Sequence, residues 1–585
     1  YQESNSDFLL SYNKVVSDWD FSASVGGNIM NRMGSSNRTS SGNDRRNGLV
    51  VPGIYNVGNI PLENISVSSS ENEKAIYSLY ALASVGYKGQ LYLDVTGRND
   101  WSSTLPEESR SYFYPSASPS WLANYTFDLP ENVSLLKLRG GWAKVGNDTD
   151  PYRLEPTLGQ GTWNTLPTQG VPGTLLNPDL KPEELTSIEV GVDFNMFSNR
   201  LRFTGTYYTM DNRNQIFSVE MPRSSGYSGK LINAGLINSE GWEFSLGGTL
   251  IQRSGLTWDM DFNLTRNRST LKELPEGLEY ITLWQDEGAA WTFVGEQMGD
   301  LYSWGYAQVE DPNSDYYLWP ILTSAGEWQP FRRDPEKAEK VGNFNPDFML
   351  GMQTRLAFGR FTVAASFDWR AGGDFASYTY RYGESDWKSQ RQIDNLIPGG
   401  NMSAQELEEF LKANPDENII PQIGNFPRVG GHTAETGGFP LGNNNDGTFV
   451  PGVIQTSGAD TPDDPSDDEY QEHLGGPGTN FYPITETYPW RFQKQITFDA
   501  SFVKLRELTL NYRIPTKALD NLNVGVYTRN LMLWTKAKIG IDPERAFQAA
   551  GGTQGDTQSQ FRQGYERQNV MPWTATFGFK VGFSF

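Results

Sequence analysis

Trp573-Thr574-Ala575-Thr576-Phe577-Gly578-Phe579-Lys580-Val581-Gly582-Phe583-Ser584-Phe585 alternates without a break: every odd position is apolar and no even position is. A period of two belongs to a β-strand with one dry face and one wet or tightly packed face. Soluble strands usually run about 5–6 residues, whereas a tilted membrane-crossing strand needs ~9–11. A strand spanning this whole stretch therefore favours a transmembrane β-barrel, and the terminal aromatic, Phe585, is expected to act as its assembly signal.

The pattern recurs upstream in Trp19, Phe21, Ala23 and Val25, in Tyr77, Leu79, Ala81, Ala83, Val85 and Tyr87, and in Leu91, Leu93 and Val95. Further strands are expected over 116–128, 133–146, 185–197, 200–211, 240–252, 256–267, 347–358, 361–371, 501–512 and 523–533, about fifteen in all. Asn199-Arg200 and Gly359-Arg360 read as tight turns, while 31–72, 147–182, 212–239, 268–346 and 372–500 read as long polar connectors. Short turns alternating with long loops are the outer-membrane pattern, with the long loops outside the cell. Because single-chain bacterial barrels have an even strand number, an odd total implies a missed strand or only part of a barrel. Within 372–500, Ser403 with Glu406 forms a capping box ahead of Leu407, Phe410 and Leu411, so a short helix is expected there, stopped by Asn414-Pro415.

Composition narrows the function classes. The chain has 585 residues, with 48 Lys and Arg against 70 Asp and Glu for a net charge of −22, which argues against a nucleic-acid partner. Aromatics reach 13 %, too many for a disordered chain, and a mean hydropathy of −0.54 leaves no run approaching the ~18 apolar residues of a membrane helix. Without cysteine, neither a disulfide framework nor a thiolate metal site can form. Two histidines, His432 and His473, leave little room for triad or zinc chemistry. No Gly-x-Ser-x-Gly elbow, phosphate loop or His-Glu-x-x-His motif occurs, so no enzyme and no cofactor is expected. Tyr1-Gln2-Glu3-Ser4 lacks the features of a secretory peptide, and the chain is expected to begin after processing or in mid-protein.

Particular words then carry a resemblance. Gly97-Arg98-Asn99-Asp100-Trp101-Ser102-Ser103-Thr104-Leu105-Pro106, followed by Tyr112-Phe113-Tyr114-Pro115-Ser116 and Trp121, resembles the SusC/RagA-type TonB-dependent transporters of Bacteroidetes outer membranes. So do Leu138-Arg139-Gly140-Gly141-Trp142-Ala143-Lys144-Val145-Gly146-Asn147, Asn177-Pro178-Asp179-Leu180-Lys181-Pro182-Glu183, Asn233-Ala234-Gly235 with Glu240-Gly241-Trp242-Glu243, and Phe502 to Tyr512. The words are read physically as scaffold. Gly97-Arg98 is expected to close a strand, Asn99-Asp100 to turn the chain, Tyr112 to Tyr114 to form an aromatic girdle, and the Asn-Pro-Asp segment to land the chain on its next strand.

The resemblance implies a 22-stranded, plugged barrel that imports glycan fragments or peptides, driven by the TonB complex and closed by a SusD-like surface lipoprotein. It also implies transporters paired as dimers, each with its own lid. Residues 1–585 then correspond to the C-terminal barrel portion, about fifteen strands, with plug and first strands elsewhere. By itself such a portion could not close, since an open sheet edge in lipid leaves backbone groups unpaired. A siderophore or cobalamin receptor and a soluble secreted carbohydrate-binding β protein are the alternatives.

Candidate contacts follow from residue type. Trp284, Trp291, Trp304, Trp319 and Trp328, with Tyr302, Tyr306, Tyr316 and Tyr317 nearby, could stack on sugar rings, meet the lid, or pack the loops themselves. Tyr92, Asp94, Thr96 and Arg98 are expected to face the lumen while Leu91, Leu93 and Val95 face outer-membrane lipid. Trp369-Arg370-Ala371-Gly372-Gly373-Asp374 reads as a flexible strand exit. The run from Asp463 to Glu469 offers carboxylates for calcium but no glycine-centred loop, and reads as a solvated charge run; Glu183-Glu184 and Glu107-Glu108 point to opposite faces and do not converge.

Overall fold

The computed structural model describes residues 1–41, 49–61, 64–163, 166–285, 288–303, 307, 309–317, 321–322, 338–385, 447–448, 452–457, 468–473, 482–483, 496–516, 521–547, 562–567 and 573–584. Two compact units are distinguished: residues 1–248 with 269–279, and residues 249–268 with 280–585. Each is built on an antiparallel meander. In the first the strands are β1 (Gln2–Val16), β2 (Trp19–Ser41), β3 (Ile65–Tyr87), β4 (Leu91–Ser102), β5 (Ser111–Leu122), β6 (Val133–Asn147), β7 (Glu183–Met196), β8 (Leu201–Glu220) and β9 (Gly229–Arg253). In the second they are β10 (Leu256–Glu273), β11 (Phe348–Phe358), β12 (Phe361–Ala371), β13 (Phe502–Ile514), β14 (Asn521–Thr535) and β15 (Thr576–Ser584). Among the described residues, nine and six strands give the fifteen expected.

Register follows the alternation. Leu91, Leu93 and Val95 pair with Trp121, Pro119 and Ala117 on one side and with Tyr87, Val85 and Ala83 on the other, all on one face. That face is apolar yet open: Leu91, Leu93 and Val95 are 44–45 % exposed, and Phe579 on β15 is 81 % exposed. A soluble sheet would hide these side chains; here the exposed face is the dry one, which is the inside-out patterning of a barrel in lipid. Its height fits as well. Ten residues separate the Trp19–Tyr87 rung from the Ile29–Tyr77 rung, about 33 Å of strand at ~3.3 Å per residue, or ~24 Å once tilted by ~45°. The apolar band of an outer-membrane barrel is ~25 Å tall. Aromatic rings mark both limits: Trp19 against Tyr87 at 4.5 Å on one, Tyr77 paired with Trp101 on the other.

Connector lengths sort by strand end. In the first unit the turns 17–18, 88–90, 123–132 and 197–200 share one strand end, and in the second the turns 254–255 and 359–360 share one strand end. The 197–200 turn needs three successive left-handed residues, Phe197, Ser198 and Asn199, and Gly359 takes φ +57 in the next tight turn. Within each unit the long connectors leave from the other strand end.

Several expectations are corrected. The connector 212–239 is largely strand and 31–72 is strand at both ends, because β2 runs on to Ser41, β3 starts at Ile65, β8 reaches Glu220 and β9 starts at Gly229. Beyond the lipid band both faces are wet, so Ser, Thr and Asn replace the alternation that would reveal a strand. The same loss hides β1, whose Phe8-Leu9-Leu10 also breaks the period. Asn99-Asp100 does not turn the chain; β4 continues through it to Ser102. The terminal strand spans nine residues, Thr576–Ser584, shorter than its sequence pattern. Connector 268–346 holds the end of β10 and a four-stranded sheet of Tyr280–Gln285, Gly288–Phe293, Asp300–Ser303 and Glu339–Asn343. The expected helix after Ser403, together with His432, lies outside the described residues.

Candidate functional site

Tyr92, Asp94, Thr96 and Arg98 lie on the face of β4 opposite the apolar one, because strand side chains alternate. Hydrogen bonds join this polar face across strands. Arg98 Nε donates to Asp100 Oδ1 at 2.7 Å and its Nη2 to Ser78 Oγ at 2.9 Å, while the Tyr114 hydroxyl donates to Asp100. Thr96 and Ser116 share a 2.6 Å bond, and the Tyr92 ring lies across Gly86. Farther along, Arg139 pairs with Glu189 and donates to Thr206 Oγ1 at 2.5 Å. Arg98, Asp100, Arg139 and Glu189 are all partnered, so this stretch of the face is polar without being an array of bare charges.

The sequence words are locks within it. Tyr112 and Tyr114 stack at 5.9 Å on the polar face, with Tyr112 seated on Gly146, so they are not girdle rings as expected. Phe113, 59 % exposed, is the residue that faces outward. The Asn-Pro-Asp segment does land the chain on β7. Asn177 Oδ1 accepts from Asp179 N at 3.0 Å, Leu180 is fully buried with Leu105 and Leu231, and Asn233 holds both polar backbone groups of Lys181, at 2.8 and 2.7 Å. Glu183 accepts from Ile216 N at 2.9 Å whereas Glu184 pairs with Lys144 at 2.6 Å, so these neighbours serve different partners.

The loop aromatics do not converge. Trp291, 1 % exposed, is the core of the four-stranded sheet against Tyr280 and Tyr302, and offers no face to a ligand. Trp284 donates from Nε1 to Gln563 O at 3.1 Å and meets the Tyr565 ring edge-on at 5.4 Å. Tyr316 is edge-on to Tyr470 at 6.2 Å beside a small core of Val309, Ile321 and Val453. Among the described aromatics of this loop group, Tyr317 is the exposed one. Trp304, Trp319, Trp328, Tyr306 and Phe585 lie outside the described residues, as do Asp463 to Asp467. Asp468 accepts from Tyr470 Oη and Gln455 Nε2, each at 2.7 Å; burial together with this carboxylate raises the Tyr470 phenol. Among the described residues no acidic or histidine cluster is spaced to hold a metal.

The strand exit after β12 is fixed rather than flexible. Gly372 and Gly373 take φ +72 and +78, and a Cβ on Gly373 would stand 2.7 Å from Asn345 O. Sequence reasoning missed the charged cluster beside it. Lys504, 1 % exposed, pairs with Asp542 at 2.6 Å and with Glu544. Arg506 grips both Glu544 oxygens at 2.8 and 2.7 Å and reaches Asp368 at 2.5 Å. Burial raises the Glu544 carboxyl, but the hydrogen bonds from Arg506 and Lys504 outweigh it and hold the pKa at about 2. Nearby, fully buried Glu566 accepts from Ser377 Oγ and Thr379 Oγ1, each at 2.7 Å, and pairs with Arg545 at 3.0 Å. Ser377 and Thr379 lie 189 and 187 residues away in sequence, and no local pattern announces them.

The TonB dependent receptor-like, beta-barrel family model matches residues 1–386. TonB-dependent receptor P26 of Formosa agariphila is 23 % identical over 558 residues, covering 91 % of this chain and 48 % of that protein. TonB-dependent receptor SusC of Bacteroides thetaiotaomicron is 27 % identical over 198 residues, 31 % of this chain and 19 % of that one. The structure of the RagAB peptide transporter superposes with a TM-score of 0.69 at 17 % identity, over all of this chain and 55 % of that chain, a likeness of fold. The chain thus spans about half the length of P26.

Proposed function

The chain belongs to the TonB-dependent receptor β-barrel family, is of the SusC/RagA type and resides in the bacterial outer membrane, and from that premise we propose that it is the C-terminal barrel portion of an importer for a bulky nutrient. The nutrient is an oligosaccharide or oligopeptide, and import is driven by the TonB complex with a SusD-like surface lipoprotein as lid. The observation that carries this reading is the pairing of an apolar outer face with a polar, cross-linked inner face, the long connectors of each unit leaving from one strand end. A path for a hydrophilic solute needs that inner face, and an external capture surface needs those connectors. Among the described residues β1 pairs only with β2 and β15 only with β14. Exposed edges in lipid are not tolerated, so plug-side strands outside this sequence complete the wall.

In this reading Tyr92, Asp94, Thr96 and Arg98 line the lumen, Tyr317 and the accessible edge of Trp284 are the aromatic contacts for substrate or lid, and residues 372–500 form an external loop region. Transporter and lipoprotein pairs assemble as dimers, and the substrate crosses chemically unchanged.

Mild solubilisation of outer membranes followed by mass spectrometry of what co-purifies is the test. A plug-bearing N-terminal sequence and a surface lipoprotein in one complex are expected; recovery of the polypeptide alone in the soluble fraction overturns the reading. TonB-dependent uptake of fluorescent oligosaccharides against fluorescent oligopeptides then separates the two cargo classes.

A further inference from the structure

The segment Ile541-Asp542-Pro543-Glu544-Arg545-Ala546-Phe547 lies against the polar face of the second unit. On β12 and β13 the Trp369–Val503 rung faces outward with both side chains exposed, so Asp368, Arg370, Phe502 and Lys504 point to the opposite side. There the segment is held three ways. Charge fixes its middle, through Lys504 with Asp542 and Glu544, and through Arg506 with Glu544 and Asp368. Apolar contact fixes its flanks, Ile541 and Ala546 packing with Phe375 and Ala500, and the Arg370 guanidinium standing 3.8 Å over the Phe547 ring. Backbone bonding fixes its far side, where Gly564 N donates to Ala546 O at 2.9 Å.

We propose that residues 541–547 form a fixed sill on the inner wall at the long-connector end, narrowing the transport path there and staying seated through the transport cycle while other elements move. The inference rests on the importer reading for the path itself, and on the geometry for the seating. Lys504 and Arg506 are positioning residues: they touch the sill and not the cargo. Two cations from one strand grip one carboxylate, Glu544 and Arg506 half-buried and Lys504 with Asp542 fully so, and lifting the sill would strand the buried Lys504. That is the opposite of a hinge, whose contacts must be easy to exchange.

The absence of cysteine gives a direct test in the full-length transporter on intact cells. Single substitutions Ala546→Cys and Ala500→Cys place reporters on the two sides of the buried contact, and Lys538→Cys places an exposed one on the same connector. The probe is a membrane-impermeant maleimide, applied to energised cells and to cells treated with an uncoupler, with heat-modifiable migration on gels checking barrel assembly. Lys538→Cys should label from outside; failure in an assembled barrel would overturn the importer orientation while leaving the seating open to the next comparison. Ala546→Cys and Ala500→Cys should stay at least tenfold slower than Lys538→Cys in both energy states, and become labelled when Asp542→Asn and Glu544→Gln are added. Labelling that rises with energisation in the parent would show a moving element and overturn the sill. So would continued protection after the charges are removed. Should the double variant fail to assemble, Glu544→Gln alone gives the milder version of the same readout.

Discussion

The two units fasten their long connectors to the strand ends by different means. In the first, the far end of the connector before β7 is plugged in by hydrocarbon, its near end being tied by Asp148 to Lys74: Leu180 sinks between Leu105 and Leu231, and Asn233 satisfies both backbone groups of the next residue, Lys181. In the second, the connector after β14 is tied down by charge, with Lys504 and Arg506 clamping Asp542 and Glu544. Hydrocarbon anchoring is indifferent to pH and tolerant of small displacement, because dispersion contacts are many and weak. A buried ion network is unforgiving, since removing one member leaves its partners uncompensated. The difference predicts that the first anchor yields by degrees and the second as a unit.

The largest expected effect is therefore in the charged anchor. Lys504→Met should cost about 3–5 kcal/mol, the usual loss when one partner of a buried pair is removed, and show as a lower unfolding midpoint of the solubilised barrel; a loss under 1 kcal/mol would put the two anchors in the same class. Leu180→Ala should cost about 3 kcal/mol through the cavity it leaves, read in the same assay and unaltered by salt. Val95→Arg tests neither anchor but the lipid face against which both are built. It should cost about 2 kcal/mol in mid-strand and lower the surface level of assembled barrel, and unchanged levels would contradict the facing of β4. Asn233→Ala should cost about 1–2 kcal/mol for the two backbone groups of Lys181 left unbonded.

The smallest effect separates the anchors by acid. Glu544 is depressed in the folded state to about 2, so its contribution is complete above the ordinary carboxylate range near 4.3 and is lost as pH falls from there through about 2. Maleimide protection of Ala546→Cys should hold at pH 5 and pH 7 alike. A reporter beside Leu180 should show no step between pH 5 and pH 2, while the folded barrel loses protection at the sill over that interval. Equal loss in both units would erase the distinction.

Much of this was legible in the residues. Alternation located most strands and assigned Leu91, Leu93 and Val95 to the open face, and its count of about fifteen comes within one of the strands it placed, β1 being the one it missed. It failed where its physical cause was absent. In Gly34–Ser41 and Ile65–Asn72 both faces are wet, so no contrast marks a strand that backbone pairing alone maintains. The site was harder to see. Aromatic side chains suggested contact residues, yet Trp291 is core, because a large ring in a loop can bury itself in whatever small sheet the loop makes.

What the sequence by itself determined is the face of each strand within the lipid band, since a period of two couples side-chain polarity to direction one residue at a time. Strand pairing, the polarity of each wall and the family words all follow from that local rule. Only the tertiary structure decided which charges meet: Lys504 with Glu544 forty residues on, Ser377 with Glu566 across 189. Such pairs depend on where connectors return, and a returning connector carries no period for its partners to be read from.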